Sequence, residues 1–261
     1  MMSDGLIAQL AIILPALLAG MVVLSTHVPL GREVLQRGII FLDLAIAQMA
    51  ALGLIVAYFV GLEAYGAWLN QLVAIGAAVI GASLLYQVRH APTGIQEALI
   101  GILFMLAATG SILLLSRDPH GGERLREMLV GQILWVEYRD LVMIAVVYLA
   151  VLWLWFGWRE KLGSYGFYPV FAITITLSTQ LVGIYLVFAS LIIPALASLH
   201  RSSPWLVAYG IGAAGYVVGL LVSALFDLPS GATIAWSLAV VALLVMGLGR
   251  IRGRPHADGP A

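Results

Sequence analysis

Repeated runs of about 20 apolar residues constrain the fold of this chain most, because a run of that length crosses a bilayer as one helix. We place such spans near residues 6–29, 38–60, 64–86, 94–115, 139–157, 206–226 and 231–249. In hydrocarbon every backbone polar group needs an internal partner, which leaves only helices or a closed β-barrel. The runs lack the polar alternation of barrel strands, so the sequence predicts an all-α integral membrane protein.

The composition agrees with lipid as the solvent of this chain. Of its 261 residues, 62% are hydrophobic and 10% are charged, which is too little polar surface for a water-soluble globule. The formal net charge is zero and no basic stripe interrupts the apolar pattern, so no nucleic-acid partner is expected. The chain has no cysteine, which excludes disulfides and thiolate metal sites. We expect its partners to be other membrane components and a small solute.

Residues 169–199 do not fit a single upright span, because this stretch is too long for one crossing and short for two. Hydroxyl and amide side chains occupy its middle, at Thr174, Thr176, Ser178, Thr179 and Gln180. Gly183 follows this polar cluster, and the combination predicts a helix that ends and restarts inside protein. The whole chain is then a polytopic bundle of eight or nine transmembrane helices, with one domain at residues 1–250 and a short tail at 251–261.

Lys and Arg residues indicate the orientation of the bundle. With the N-terminus outside and two crossings by the broken stretch, nine of the thirteen basic residues lie on the inner side. The other four share an outer segment with several acidic residues, at Arg117, Arg124, Arg126 and Arg139. This bias predicts a multi-pass protein of the plasma or inner membrane with an exterior N-terminus and a cytoplasmic C-terminal tail.

The outer segment also carries a helical pattern. One helical face would hold Leu125, Met128, Leu129, Gln132, Ile133 and Val136. The pattern predicts an amphipathic helix at the membrane surface. Two interpretations of this helix stay open: it caps the bundle, or it docks a solute-delivering protein through Glu123, Arg126 and Glu127.

The residues required for ATP binding or membrane-enzyme chemistry are missing from this chain. A Walker A loop needs a Gly-Lys pair, and the single lysine, Lys161, follows Glu160. The H-E-x-x-H and G-x-S-x-G motifs are absent, and the five histidines fall near predicted span ends or in loops. We therefore expect neither an enzyme nor a bound cofactor, so that any ATP would be used by a partner subunit.

Asp43 is the acidic residue that lies clearly inside a predicted span. A carboxylate at the bilayer centre costs about 2.5–3.5 kcal/mol on insertion scales, so such groups usually face a polar cavity. Helix-end capping and an internal hydrogen bond stay open as alternatives. Gln48 lies roughly 140° around the helix from Asp43. The two side chains therefore do not share a face, and their pairing implies no metal site. Asp43, Gln48 and Gln180 are candidates for a translocation path, and the metal ligands stay unknown.

Three segments occur in the same order as in a known transporter family. The first is MLVGQILWVEYRDL, which is similar to the family's L-F-G-x-I-L-x-V segment with a following acidic residue, here Asp140. The second and third are LVGIYLVFASLIIPALAS and LFDLPSGATI, similar to V-G-x-L-L-V-x-A-L-L-I-I-P-A-A-x-A and D-x-P-S-G-P-T-I. With weaker similarity in the first two spans, nearly the whole chain resembles the integral membrane subunits of the metal ABC transporter permease family, which handles zinc, manganese and iron.

The resemblance implies a homodimeric permease for a metal ion or metal chelate. It also implies a pair of cytoplasmic ATPase subunits and an extracytoplasmic metal-binding protein as partners. A coupling helix is expected at residues 195–205, between Pro194 and Pro204. Its candidate ATPase contacts are Ala195, Ser198, His200, Arg201 and Ser202. An ATP-independent secondary transporter or channel stays open, as does a structural membrane anchor.

The second span departs from the family pattern. The family usually has a Gly-Asp pair there, with a histidine four residues after the aspartate. Alignment on residues 51–53 puts Ile40 at the acid and Leu44 at the histidine. Asp43 is a neighbour of the matching position, so this motif carries no metal specificity over to the chain.

Overall fold

The computed structural model describes residues 2–252, and their side chains from 12 to 247 except at positions 63, 67, 159, 160, 162 and 164. Most of the predicted tail, from residue 253 onward, lies outside this part of the chain. The described chain consists of helices and their connections and contains no strand. The prediction of an all-α protein is therefore confirmed.

Nine α-helices follow one another between residues 2 and 252. They are α1 (Met2–Arg37), α2 (Leu42–Phe59), α3 (Ala67–Gln87), α4 (Thr93–Leu115), α5 (Gly121–Val130), α6 (Tyr138–Val182), α7 (Ile184–Ser198), α8 (Pro204–Phe226) and α9 (Ser230–Arg252). Two short 3-10 helices lie at Leu62–Tyr65 and Ile133–Trp135. The backbone of α6 is interrupted at Gly163, which has φ 50° and ψ −145°. This interruption divides α6 into a first half and a second half.

Seven helices of the described chain are long and apolar enough to cross a bilayer. They are Ile12–Arg37, Leu42–Phe59, Trp68–Gln87, Thr93–Leu115, Tyr138–Trp158, Pro204–Phe226 and Ser230–Gly247. The remaining helices Tyr165–Val182 and Ile184–Ser198 form a pair bent by 119°. If the bent pair counts as one span, the described chain has eight spans. The arrangement with nine spans, in which the pair crosses twice, stays a prediction.

The helix break expected beside the polar cluster lies at Gly183, between α6 and α7. Its φ of 82° and ψ of 160° fall in a region that is essentially restricted to glycine. The Gly183 N–H donates to the Thr179 carbonyl at 2.9 Å, and the Val187 N–H donates to the Gly183 carbonyl at 3.0 Å. The break therefore keeps its backbone groups paired, and the predicted end and restart of this helix is confirmed.

Burial separates inner helices from outer ones. In the 18-residue apolar core of each span, 56–61% of residues are buried in α1 and α2, against 22–28% in α3, α4 and the first half of α6. Most residues of α7 are buried as well. The outer helices therefore leave most of their apolar side chains on the surface of the bundle, while α1, α2 and α7 form the interior.

The G-x-x-x-G pattern at Gly215 and Gly219 predicts close contact between helices. A Cβ atom at Gly219 would lie 2.4 Å from the Cα atom of Ile234, and one at Gly215 would lie 2.4 Å from Cδ2 of Leu238. Ile234 and Leu238 belong to α9. The prediction is confirmed, since α8 and α9 approach so closely that these positions have no room for a side chain.

The two ends of the bundle differ in charge. One end, which we call the arginine end, includes the C-terminal part of α1 and the turns before α4 and α8. Its basic residues include Arg32, Arg37, Arg89 and Arg201. Two contacts hold the elements of this end together. The Ile40 N–H donates to Glu97 Oε1 on α4 at 2.8 Å, and the Arg32 guanidinium of α1 lies 4.8 Å from the ring centroid of Trp205 on α8. The opposite end carries α5, and we call it the α5 end.

Helix α5 is shorter than its sequence pattern predicts. It ends at Gly131, whose φ is 73°, and Ile133 and Val136 follow outside the helix. A Cβ atom at Gly131 would lie 2.2 Å from the carbonyl oxygen of Val182, so the backbone of the break fixes this position. The predicted amphipathic helix is confirmed for Gly121–Val130 and wrong for the residues that follow.

The expectation of a separate short helix between Pro194 and Pro204 is also wrong. Helix α7 continues through Pro194 to Ser198, and residues 199–203 form a turn before Pro204 begins α8. A proline removes one backbone donor, but membrane helices tolerate it where neighbouring helices surround the freed groups. Pro194 is itself buried, so the surrounding bundle holds the last turn of α7 in place.

Candidate functional site

A cavity of about 360 Å³ lies at the α5 end, between α2, the segment at residues 127–140 and the second half of α6. Apolar side chains of α2 and α5, including Leu54 and Met128, form one part of its wall. Its polar lining consists of Glu127, Gln132, Asp140, Thr176, Thr179 and Gln180. The surface of an apolar bundle thus has a pocket where carboxylates, amides and hydroxyls converge.

The polar cluster of α6 supplies the deepest part of this lining. Thr176 Oγ1 donates to the Ala172 carbonyl and Thr179 Oγ1 donates to the Ile175 carbonyl, each at 2.7 Å. These bonds to the preceding turn use the only proton of each hydroxyl, so the oxygen lone pairs remain as acceptors. Thr176 has no exposed surface and Thr179 is 8% exposed, so these hydroxyls belong to the buried wall of the cavity.

The other hydroxyls of the polar cluster belong to the interior of the bundle. Tyr148 Oη donates to the Thr174 carbonyl at 3.1 Å and contacts Ser178 Oγ, which ties the two halves of α6 together. Tyr216 Oη and Ser190 Oγ lie 2.8 Å apart and tie α8 to α7. All of these side chains are buried, so this second face of the cluster holds helices together.

His27 is a buried polar residue that the sequence reasoning placed near a span end. The structure extends α1 to Arg37, which puts His27 inside the helix, with no exposed surface. Its Nδ1 atom lies 3.3 Å from Thr26 Oγ1, and its Nε2 atom has no hydrogen-bond partner among the described residues. The apolar run did not predict that α1 continues past Pro15 and Pro29 to Arg37.

Asp43 lies in the first turn of α2 and is 1% exposed. Neither of its carboxylate oxygens has a hydrogen-bond partner among the described residues. Gln48 is also buried, and neither residue lines the cavity. Of the three candidates for a translocation path, only Gln180 lies at the cavity, so the structure does not bring the three side chains together there.

The candidate docking residues lie on the surface of α5. Glu123, Arg126 and Glu127 are all exposed, and Glu127 also lines the cavity. Arg124 on the same helix pairs with Asp118 at 3.5 Å and lies 3.9 Å from the ring centroid of Tyr58 on α2. These contacts hold α5 against the bundle while its acidic and basic side chains point outward.

Comparison with known families decides what kind of membrane protein this is. The ABC 3 transport family matches residues 9–172 and 156–249, which together span nearly all of the chain. The chain belongs to the ABC 3 transport family. This result confirms the resemblance to permease subunits of ABC transporters. Among curated proteins, none matches the sequence.

Two solved structures share the fold of this ABC 3 family member. One is PsaBC from Streptococcus pneumoniae in complex with Fab, with a TM-score of 0.73 and 21% identity over 94% of this chain and 95% of that chain. The other is described as an inward-facing conformation of a metal-chelate type ABC transporter. Its TM-score is 0.60, with 20% identity over 92% of this chain and 85% of that chain. At these identities the likeness establishes the fold.

The structure corrects part of the expected ATPase contact of this ABC 3 family member. Ala195 and Ser198 have no exposed surface, because α7 continues past Pro194 and buries both against its neighbours. They cannot touch a partner subunit in this conformation. His200 and Ser202 are exposed in the following turn, while Arg201 donates to the Val245 carbonyl on α9. An exposed turn anchored to α9 remains at the predicted place.

Direct metal ligands do not cluster in the part of this ABC 3 family member that the structure describes. No group of three or more His, Cys, Asp or Glu side chains converges among those residues. The carboxylates nearest to a solute-sized space are those of Glu127 and Asp140.

Proposed function

We propose that this chain is the membrane-spanning permease subunit of an ABC transporter that moves a metal ion or a metal chelate. The break at Gly183, beside a polar cavity in a member of the ABC 3 transport family, carries the proposal. Interrupted helices of transporters surround solute paths. A membrane anchor needs neither an interrupted helix nor a polar cavity. The metal or chelate as substrate is supported by the family resemblance and by the metal-chelate type transporter with the same fold.

We propose that the arginine end faces the cytoplasm and the α5 end faces the exterior. The excess of Lys and Arg at the arginine end supports this orientation. A cysteine at Gly122 would be accessible, because no atom lies within 4 Å of its Cβ position, and Ser202 is exposed at the opposite end. In intact cells, an impermeant maleimide should label Gly122→Cys but leave Ser202→Cys unlabelled until the membrane is opened. The opposite labelling pattern would reverse the orientation.

Separate ATPase subunits supply the energy in this proposal, and the chain itself binds no ATP or other cofactor. Their contact is the turn at residues 199–203, where His200 and Ser202 are exposed. The hydrogen bond from Arg201 to the Val245 carbonyl connects this turn directly to α9. A movement imposed on the turn would therefore reach a second helix as well as α8.

At the exterior end, a solute-delivering protein docks on α5 in this proposal. Glu123 and Arg126 offer an exposed acidic and basic pair of contacts, and Glu127 extends from the same surface to the cavity. The resemblance supports a second copy of the chain as the partner that completes the path. Within each copy, Gln180 lies at the cavity, while the unpartnered carboxylate of Asp43 lies in the first turn of α2, which begins at the arginine end.

Proteoliposomes test the proposed energy source. Vesicles that contain the chain and its ATPase subunits, with ATP enclosed on the ATPase side and the solute-delivering protein outside, should accumulate radioactive Mn²⁺ or Zn²⁺, or a chelate of either. Vesicles with the chain alone, and vesicles whose ATPase carries a changed Walker A lysine, should accumulate none. Accumulation by the chain alone, driven by an ion gradient, would establish the secondary transporter instead.

A further inference from the structure

We infer that Tyr209 of α8 is a positioning residue for transport, which connects α1 to the ATPase-contact turn by donating to the backbone carbonyl that Pro29 leaves free. This inference rests on the proposed function, because it names the contact through which movement of the turn at residues 199–203 would reach α1. The buried proline, the hydrogen bond and the packing of α1 against α8 each support it.

Pro29 removes one hydrogen bond from the interior of α1. In an α-helix the N–H of residue 29 would donate to the Ser25 carbonyl, but proline has no N–H. Helix α1 nevertheless continues through Pro29 to Arg37, and Pro29 is buried. A carbonyl without a donor is costly in a bilayer, so membrane helices tolerate a proline where a neighbouring helix supplies another donor. The Ser25 carbonyl therefore needs a partner from outside α1.

Tyr209 supplies that partner. Its Oη atom donates to the Ser25 carbonyl oxygen at 3.3 Å. The Ser25 hydroxyl is engaged elsewhere, because its Oγ atom donates to the Val22 carbonyl at 2.6 Å. The contact between Tyr209 and Ser25 depends on the proline. With an N–H at position 29, the helix itself would provide the donor and the tyrosine hydroxyl would not be needed.

The hydrogen bond belongs to a continuous antiparallel contact between α1 and α8. A Cβ atom at Gly20 would lie 2.3 Å from Cδ1 of Tyr216, and one at Gly212 would lie 2.6 Å from Cδ2 of Leu24. The two helices are thus in close contact on the N-terminal side of Pro29. This part of α1 has no room to slide along α8 without displacing these side chains.

The part of α1 beyond Pro29 also contacts α8. The Arg32 guanidinium lies 4.8 Å from the ring centroid of Trp205. Trp205 and Tyr209 are one helical turn apart, so both lie on the face of α8 that meets α1. Helix α8 begins directly after the turn at residues 199–203. Movement of that turn would therefore displace the end of α1, and α2 follows with Asp43 in its first turn.

Melting of the full chain in nanodiscs tests the hydrogen bond itself. Tyr209→Phe removes the donor and keeps the ring, so the melting temperature should fall by about 2–4 °C. Combined with Pro29→Ala, which restores the helical N–H, Tyr209→Phe should cost less than about 1 °C. Pro194→Ala is the matched control, because Pro194 is also buried inside a helix. In that variant Tyr209→Phe should cost its full amount. An equal loss with and without Pro29→Ala would overturn the inference.

Uptake of radioactive Mn²⁺ or Zn²⁺ by the proteoliposomes, divided by the ATP hydrolysed, tests the role in transport. Tyr209→Phe should lower this ratio about two- to tenfold, the factor that one net hydrogen bond supplies. Pro29→Ala should lower it as well, because the Ser25 carbonyl is then taken within α1. The double variant should be no lower than the lower single variant, since both changes break one contact. A wild-type ratio in Tyr209→Phe, or losses that multiply in the double variant, would show that Tyr209 has no such role.

Tyr65→Phe is the control for loss of a tyrosine hydroxyl. Tyr65 is 71% exposed, and its substitution should change the ratio less than about twofold. Failure of the proposed function would instead appear as no ATP-driven uptake by the wild-type chain. The melting comparison needs neither ATP nor a solute. Failure of the hydrogen bond and failure of the proposed function therefore give different results.

Discussion

Replacement of Gly183 by alanine tests the helix break most directly. The backbone of Gly183 has φ 82° and ψ 160°, where a residue with a Cβ atom is strained by about 1–3 kcal/mol. The new Cβ atom would also lie 2.4 Å from the Gly131 nitrogen and 2.6 Å from the Gly131 Cα atom. These are backbone atoms and cannot rotate away. Overpacking of this kind costs about a further 1–3 kcal/mol.

Gly183→Ala should therefore destabilise the chain by about 2–6 kcal/mol, the sum of the two effects. For a protein of this size, that corresponds to a melting temperature lower by at least about 4 °C. Melting of the detergent-solubilised chain, followed by tryptophan fluorescence, measures the difference. Reduced yield of the monodisperse protein would be the stronger form of the same result.

Gly101→Ala is the matched control. Gly101 is exposed in the middle of α4, and nothing lies within 4 Å of its Cβ position. Alanine is favoured over glycine in a helix by about 1 kcal/mol, so this variant should melt at or above the wild-type temperature. If Gly183→Ala melts together with Gly101→Ala, the break and its contact with Gly131 do not exist as described.

The remaining predictions concern the path, the helix contacts and the ATPase surface. Asp43→Asn should keep or raise the melting temperature while it lowers ATP-driven uptake at least about tenfold, because an unpartnered buried carboxylate costs stability and is retained for function. Equal uptake would remove Asp43 from the path. Gly219→Ala should lower the melting temperature, since its Cβ would meet the α9 backbone, whereas Gly210→Ala, in open space on the same helix, should not. His200→Glu with Ser202→Trp should abolish stimulation of the partner ATPase and change stability by less than about 0.5 kcal/mol. Normal stimulation would move the ATPase contact elsewhere.

Much of the fold could be predicted because the bilayer restricts the choices so strongly. Apolar runs located the spans, and the polar cluster with Gly183 located the break. The errors occurred where contacts between distant segments decide local structure. Helix α5 stops at Gly131 because the backbone of Val182 lies against it, and α7 continues through Pro194 because the bundle surrounds it. No local pattern contains either contact.

The candidate site was less predictable than the fold. Gln180 was identified from its place in the polar cluster, and Glu127 was identified for docking. Their shared cavity also includes Asp140, which lies far from Gln180 in sequence, and Thr176, which faces the cavity only in one rotational orientation of α6. Sequence spacing gives the face of one helix but not which helix lies opposite. The cavity is a property of three segments packed together.

The α5 end links the docking surface, the cavity and the break through backbone contacts. The C-terminal end of α5 leads into Gly131, which lies against Val182 and Gly183. Gly231, in the first turn of α9, packs against the end of α5, since a Cβ atom at Gly231 would lie 2.3 Å from the Val130 carbonyl oxygen. Because Glu127 is one turn earlier on α5, the helix cannot move away from the cavity without disturbing these contacts with the break and with α9. In the proposed function, a protein that docks on α5 would therefore act on the interrupted helix directly, and α9 would carry the same displacement toward Val245 and the turn at residues 199–203.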